Sequence, residues 1–314
     1  MFEIEAVSNS EAASGHGTGS GSLEDDFAAH ALTQDSDDHR WAFGTGFTDA
    51  LEGVDTRVPA GIDADALAAY CLMLGDDALI FSHRLQQWMT RAPELEEETA
   101  IGNIALDLLG QARMLLARAG KADGSDRDED RFAFWRDERE FRNVRLVERE
   151  DADFAEMLAR LLVFSAWRLA QFDALRGSKD PVLAAIAAKG VKELTYHRDY
   201  AARWVVRLGD GTAESHRRMQ AALTQVWPLV DELFRPHPVE AALPGVAVDA
   251  SALRGGVDII LDTVLAAGTL DRPGNGALAG VRGRYGRDGL HTEAFGYILA
   301  EMQSVARAHP DATW

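Results

Sequence analysis

The sequence has very few cysteines and lysines, and each shortage excludes a class of protein. Cys71 is the one cysteine in 314 residues, so neither an intramolecular disulfide nor a cysteine-based zinc cluster can form. Lysine and arginine together number 32 against 51 aspartates and glutamates, which gives a net charge of −19. Because this charge repels phosphates, we expect no nucleic-acid partner and no anionic membrane partner.

Long apolar runs and targeting signals are also missing. No run of about 18 apolar residues is present, as a membrane-spanning helix would require. The N-terminus, MFEIEAVSNSEAASGHG, lacks the basic start and apolar stretch of a secretory signal. We therefore predict a cytoplasmic protein. An acidic, lysine-poor composition is also typical of proteins from salt-rich cytoplasm, where salt screens self-repulsion, so a halophilic host is a hypothesis.

The first 60 residues differ in composition from the rest. They contain the glycine, serine and acid stretch SGHGTGSGSLEDDF and show no sustained periodicity. This pattern predicts an acidic, disordered N-terminal extension over residues 1–60 and a helical domain over residues 61–314.

From Asp63 onward the apolar residues recur at helical spacing. Asp63 is a suitable N-cap for a first long helix, Pro93 separates it from a second, and Gly120 is expected to end that second helix. A third long helix is predicted from Asp153 to Arg176, and a fourth between GSKDP and LGDGT. Further helices are expected from about Thr212 to Phe234 and at the C-terminus, and no segment alternates as a strand would. The sequence thus predicts an all-α protein, a ferritin-like antiparallel four-helix bundle with additional outer helices.

Bundles of this size often bind two metal ions through inward-facing glutamates and Glu-x-x-His pairs. None of the nine histidines has a glutamate three positions before it. The one acidic match, Asp288 before His291, lies in a glycine-rich turn. The usual two-metal ligand set therefore cannot be assembled from this sequence.

Glu193 and His197 remain as candidate ligands, because residues four apart share one face of a helix. Asp107 on the second helix, or Asp76 or Asp77 on the first, could complete a site for one metal ion. The alternative is that Glu193 and His197 form a structural polar pair between helices, and this alternative is favoured.

Five blocks of the sequence resemble one known family. They are similar to the C subunits of ring-1,2-phenylacetyl-CoA epoxidase complexes, which are multicomponent oxygenases of aerobic phenylacetate degradation. The resemblance extends from about Asp65 to Trp314 and excludes the first 60 residues. The blocks are LGDDALIFSHRLQQW, RAPELEEETAIGNIALDLLGQAR, RDEREFRNVRLVE, KDPVLAAIAAKGVKELTYHRDYAARWVVRLGDGT and HTEAFGYILAEMQSVARAHPDATW.

The resemblance implies that the metal ligands of the family's catalytic A subunit are replaced here. The A-subunit motifs D-E-A-G-H and K-E-E-S-F-H correspond to DLLGQ, residues 107–111, and KELTYH, residues 192–197. Leu108 and Leu194 stand where metal-binding glutamates would be, Gln111 stands where a histidine would be, and Ser165 stands at the position of a third-helix carboxylate. Only His197 keeps a ligand type.

The family resemblance therefore implies a non-catalytic structural subunit with no catalytic residue, no metal ligands and no cofactor of its own. Its implied partner is the homologous A-type catalytic subunit, which is expected to hold the di-iron centre. The B and D components of the complex and its reductase are further implied partners.

Two other functions stay open at this point. One is an independent ferritin-like metalloenzyme, and the other is a CoA-thioester-binding helical protein whose phosphates would meet Arg84, Arg113, Arg198 and Arg203. His291 and Glu293 could form an exposed acid–base pair, although capping of the last helix is the favoured interpretation. The tryptophans are interpreted as core or interface anchors.

Overall fold

The computed structural model describes residues 51–312. Residues 1–50, which make up most of the predicted extension, lie outside the described residues. The last part of that extension, residues 51–60, consists of turns, and its Leu51, Val54 and Val58 pack against the core. The guanidinium of Arg118 also donates to the carbonyl oxygen of Thr56 at 2.5 Å.

Residues 51–312 fold into helices and 3₁₀-helices without a strand, which confirms the all-α prediction. The α-helices are α1 (Ala64–Gln86), α2 (Leu95–Ala122), α3 (Glu129–Phe134), α4 (Phe154–Leu175), α5 (Pro181–Gly209), α6 (Ala213–Val226), α7 (Pro238–Ala241), α8 (Arg254–Ala267) and α9 (Glu293–Ala308). The 3₁₀-helices are Glu138–Glu140, Arg145–Glu148, Trp227–Phe234, Ala250–Leu253 and Gly286–Asp288.

The predicted N-cap at Asp63 forms, but two helix ends differ from the prediction. Asp63 accepts a hydrogen bond from the amide of Ala66 at 3.0 Å, as an N-cap should. The predicted helix to Phe234 changes to 3₁₀ geometry at Trp227, where Pro228 has no amide hydrogen to continue the α-helix. Gly120 lies inside α2 and does not end it; a Cβ there would lie 2.0 Å from the carbonyl oxygen of Arg127, so glycine permits close chain approach.

Helices α1 and α2 form one antiparallel pair, and α4 and α5 form another. The hydroxyl of Ser82 on α1 donates to the carbonyl oxygen of Ala105 on α2 at 2.6 Å. On the second pair, the rings of Phe154 and Trp204 meet edge to face with centroids 5.2 Å apart. Near the other end of that pair, Gly190 makes room for Phe172, because a Cβ would lie 2.7 Å from its ring.

The two helix pairs pack against each other with antiparallel neighbours. Phe81 of α1 and Phe164 of α4 have ring centroids 4.4 Å apart. Across the other contact, the amide of Gln111 on α2 donates to the carboxylate of Glu193 on α5 at 3.0 Å. Each long helix therefore contacts two long neighbours running in the opposite direction, and their inner faces enclose the core.

A buried ion pair fixes the start of α5 against α2. Asp180 is the N-cap of α5, accepts from the amide of Leu183 at 2.8 Å, and also pairs with Arg118 of α2. Both side chains are buried. Removing one partner of such a pair leaves a buried charge without compensation.

We expect Asp180→Ala to lower the free energy of unfolding by about 3–5 kcal/mol, because Arg118 would stay buried without its carboxylate. Urea denaturation followed by circular dichroism measures the change. The matched control is Asp173→Ala, which removes the exposed partner of Arg176 and should cost less than about 1 kcal/mol. Equal effects of the two substitutions would contradict this interpretation of the buried pair.

Candidate functional site between the long helices

The positions that the family resemblance aligns with metal ligands of the catalytic subunit lie within the long helices. Leu108 and Leu194 are completely buried and pack in the hydrophobic core. The hydroxyl of Ser165 donates to the carbonyl oxygen of Leu161 at 2.6 Å, so it is satisfied within its own helix. These side chains offer apolar surface where a hard metal ion needs carboxylate oxygens.

A buried arginine that the sequence patterns did not reveal occupies the polar part of this interior. Arg168 of α4 is completely buried. Its Nε donates to the side-chain oxygen of Gln111 at 3.0 Å, and its Nη2 donates to the carbonyl oxygen of Leu74 at 3.2 Å. Its guanidinium also stacks 4.5 Å from the ring centroid of Phe172. The available signal was its position three residues after Ser165, within the apolar stretch from Leu161 to Ala170.

Arg168 places a positive charge among the long helices. Burial lowers the pKa of Arg168 to about 10, opposed by the negative charge of Asp77, and the group stays protonated at neutral pH. A guanidinium has no acceptor lone pair and cannot ligate a metal ion. It also occupies the amide oxygen of Gln111, the atom of that residue that could otherwise bind a cation. A divalent ion at this place would meet repulsion from Arg168.

Glu193 connects the interior to the outer edge of the α2–α5 contact. Its carboxylate accepts from Gln111, and its side chain is 19% exposed. Burial raises the pKa of Glu193 to about 7, with the hydrogen bond from Gln111 opposing and the charge of Asp107 adding to the rise. Hydrogen bonds thus run from Glu193 through Gln111 to Arg168.

His197 binds a different partner from Glu193. Its Nε2 lies 3.0 Å from the carboxylate of Asp107, and its side chain is buried. Glu193 and His197 thus each hold α2 separately instead of pairing with each other. Within residues 51–312, groups of three potential ligand atoms within 4.8 Å of one another occur only at Glu94, Glu96 and Glu97, at the exposed start of α2.

The two aspartates considered as ligands on α1 bind arginines. Asp76 pairs with Arg136 and accepts from the amide of Arg142 at 2.8 Å. Asp77 pairs with Arg287 at 2.7 Å and accepts from a backbone amide, and burial raises the pKa of Asp77 while Arg287 lowers it. Both carboxylates therefore anchor segments outside the long helices.

His291 was predicted to be exposed, but its side chain is completely buried. Its Nδ1 lies 2.6 Å from the carboxylate of Glu148, and its Nε2 lies 3.1 Å from the carbonyl oxygen of Phe141. Thr292 is the N-cap of α9, yet its hydroxyl donates to Glu148 at 2.7 Å and does not cap the helix. The buried Glu148 thus fixes the start of α9.

Most arginines considered for phosphate binding have partners within the chain. Arg84 donates to the carbonyl oxygen of Glu148 at 2.8 Å, Arg113 pairs with Glu129 at 2.9 Å, and Arg198 pairs with Asp199 at 2.7 Å. Of the four, Arg113 alone lines a groove of about 620 Å³ that also includes Arg118 and Arg127.

This chain belongs to a known family of helical proteins. The family described as "Phenylacetic acid catabolic protein" matches residues 54–314, so this chain belongs to it. The chain is also similar to the C subunit of the 1,2-phenylacetyl-CoA epoxidase of Escherichia coli (strain K12). The two are 43% identical over 250 residues, covering 79% of this chain and 99% of the relative. The resemblance predicted from the sequence is thereby confirmed.

Within residues 51–312, every helix is too short or too polar to cross a membrane.

We expect Glu193→Gln to remove a pH dependence of stability. The pKa of Glu193 is about 7 in the folded protein against an ordinary 4.5. Between pH 4.5 and pH 7 the folded protein therefore binds a proton at Glu193 that the unfolded chain has lost. Stability of the natural chain should therefore fall as the pH rises through this window, by at most about 3 kcal/mol. Glutamine keeps the acceptor for Gln111 and carries no charge.

Urea denaturation at pH 5 and pH 8 measures this effect. Glu193→Gln should be more stable than the natural chain at pH 8 and similar to it at pH 5. The control Asp173→Asn, at an exposed position, should keep the natural slope. An unchanged slope in Glu193→Gln would show that this carboxyl does not titrate in the window.

Proposed function

We propose that this chain is the non-catalytic structural subunit of a phenylacetyl-CoA 1,2-epoxidase complex, acting in aerobic phenylacetate degradation. It pairs with a homologous di-iron catalytic subunit and stabilises it. One observation supports this proposal most directly: Leu108 and Leu194 are buried, and Gln111 is hydrogen-bonded to Arg168, at or beside positions that the resemblance aligns with metal ligands.

We also propose that the long helices form a ferritin-like antiparallel four-helix bundle. Four contacts support this assignment: α1 packs against α2 and α4, and α5 packs against α2 and α4. In each of these four pairs the two helices run antiparallel. Helices α3 and α6–α9 would then be the outer helices.

In this proposal the chain has no metal, no cofactor and no catalytic residue of its own. Two leucines at ligand positions remove the negative charge and lone pairs that iron requires, and Arg168 adds a fixed positive charge. The apolar volume instead stabilises the fold by burial. The di-iron centre resides in the partner subunit.

The other components of the complex and its reductase would act on the catalytic partner, in the cytoplasm. The Escherichia coli relative is by its name one of several chains of an epoxidase, which supports an assembly of this kind. A structural role also fits the buried ion pairs, which hold the helices in one arrangement.

The test is to purify the chain alone and together with a homologous di-iron subunit. We expect the isolated chain to contain less than about 0.1 iron per chain by elemental analysis, and the two chains to co-elute in size-exclusion chromatography. The partner's thermal stability should rise in the complex, as linkage requires for a ligand that binds the folded state.

The control is the di-iron subunit alone, which should hold iron under the same conditions. Stoichiometric di-iron in the isolated chain would overturn the structural role. Separate elution of the two chains at micromolar concentration would overturn the pairing.

A further inference from the structure

Helices α2 and α5 present a continuous outer face whose centre is apolar. Tyr196 of α5 is 46% exposed, and Leu106 of α2 is 52% exposed. The neighbours Asp107 and His197 meet at 3.0 Å, which places Leu106 and Tyr196 on either side of one seam. Gly110, one turn after Leu106, leaves open space beside it, because a Cβ there would meet no atom within 4 Å.

The outward stripe of α5 on this face carries several cations, and the carboxylate of Asp199 on the same stripe already pairs with Arg198 at 2.7 Å. At the seam, the carboxylate of Asp107 contacts His197 at 3.0 Å and that of Glu193 accepts from Gln111 at 3.0 Å. Lys192, Arg203 and Arg207 lie with Tyr196 on the outward stripe of α5, since their spacings are close to whole helical turns. Within residues 51–312, neither Lys192 nor Arg203 has a carboxylate within salt-bridge distance, and the guanidinium of Arg207 stacks 4.7 Å from the Trp204 ring. These cations remain available for a partner.

Other exposed apolar residues have different surroundings. Ile259 on α8 is 69% exposed but lies between Asp258 and Asp262, which pair with Arg272. Tyr297 on α9 donates to the carboxylate of Glu293 at 3.3 Å. The α2–α5 face differs from the surroundings of Ile259 and Tyr297. Its exposed apolar side chains lie beside cations that have no carboxylate partner in the described chain.

We propose that the α2–α5 face, formed by Leu106, Gly110, Lys192, Tyr196 and Arg203, docks an acidic helical surface of the catalytic partner subunit. Tyrosine and arginine are among the residues that most often anchor protein interfaces, and the open space at Gly110 leaves room for a partner side chain. This inference rests on the proposed function.

A second copy of this chain is a poorer occupant than an acidic partner. A two-fold symmetric dimer through this face would place the basic stripe of one copy against that of the other. Lys192 and Arg203 would then face like charges, which costs affinity. An acidic surface on a different subunit instead meets both cations and steers the encounter at low salt.

The test is the affinity of the full-length chain for the purified di-iron subunit, measured by biolayer interferometry at 50 and 300 mM salt. Lys192→Glu/Arg203→Glu should weaken binding at least tenfold at low salt and flatten the salt dependence. Tyr196→Ala should also weaken binding at least tenfold, while Tyr196→Phe keeps the ring and should bind within about threefold of the natural chain.

Matched controls are Arg139→Glu/Arg282→Glu, two exposed arginines elsewhere, and Ile259→Ala. Each should change affinity less than twofold, and thermal melting should confirm that every variant folds. If the natural chain pairs but the face variants bind equally well, the docking surface is wrong and the proposed function stands. If the natural chain does not bind, both the proposed function and the proposed docking surface are wrong.

Self-association of the natural chain that Tyr196→Ala abolishes would also overturn the proposal, because the occupant would be a second copy.

Discussion

The fold depends on the need of buried guanidinium groups for oxygen acceptors. Removing a charge from water is costly unless partners satisfy it, so each buried arginine fixes the segment that supplies its acceptors. Arg118 holds the start of α5, Arg145 reaches Glu232 and the carbonyl oxygens of Leu278 and Ala279, and Arg287 reaches Asp77 on α1. The irregular segments are therefore tied to the long helices by charge as well as by apolar contact.

The same constraint shapes the interior. Arg168 carries a fixed positive charge inside the helices and is held by Gln111 and a backbone carbonyl. A metal centre needs an inward carboxylate shell, whereas this interior contains a side-chain amide oxygen and a backbone carbonyl oxygen that accept from Arg168, together with buried apolar side chains such as Leu194. Rigidity without a metal ion suits a chain whose proposed role is to hold another chain.

Much of the fold followed from local patterns in the sequence. Helical spacing and N-caps such as Asp63 located the long helices. The sequence also showed leucine at positions 108 and 194, which the resemblance aligns with metal-binding glutamates. The partners of the buried polar side chains could not be predicted from these local patterns. Arg168 gave no clear signal because a charged residue within a helix does not reveal which other helix supplies its acceptors. His291 was misjudged because its partner, Glu148, is distant in the chain.

The sequence by itself determined the helical class, the starts of the long helices and the absence of Glu-x-x-His pairs, because these depend on residues within a few turns of each other. The tertiary structure alone decided that Glu193 binds Gln111 while His197 binds Asp107. It alone also brought Leu106 and Tyr196 to one surface. Such contacts join residues about 90 positions apart, and only the packing of α2 against α5 sets which side chains meet.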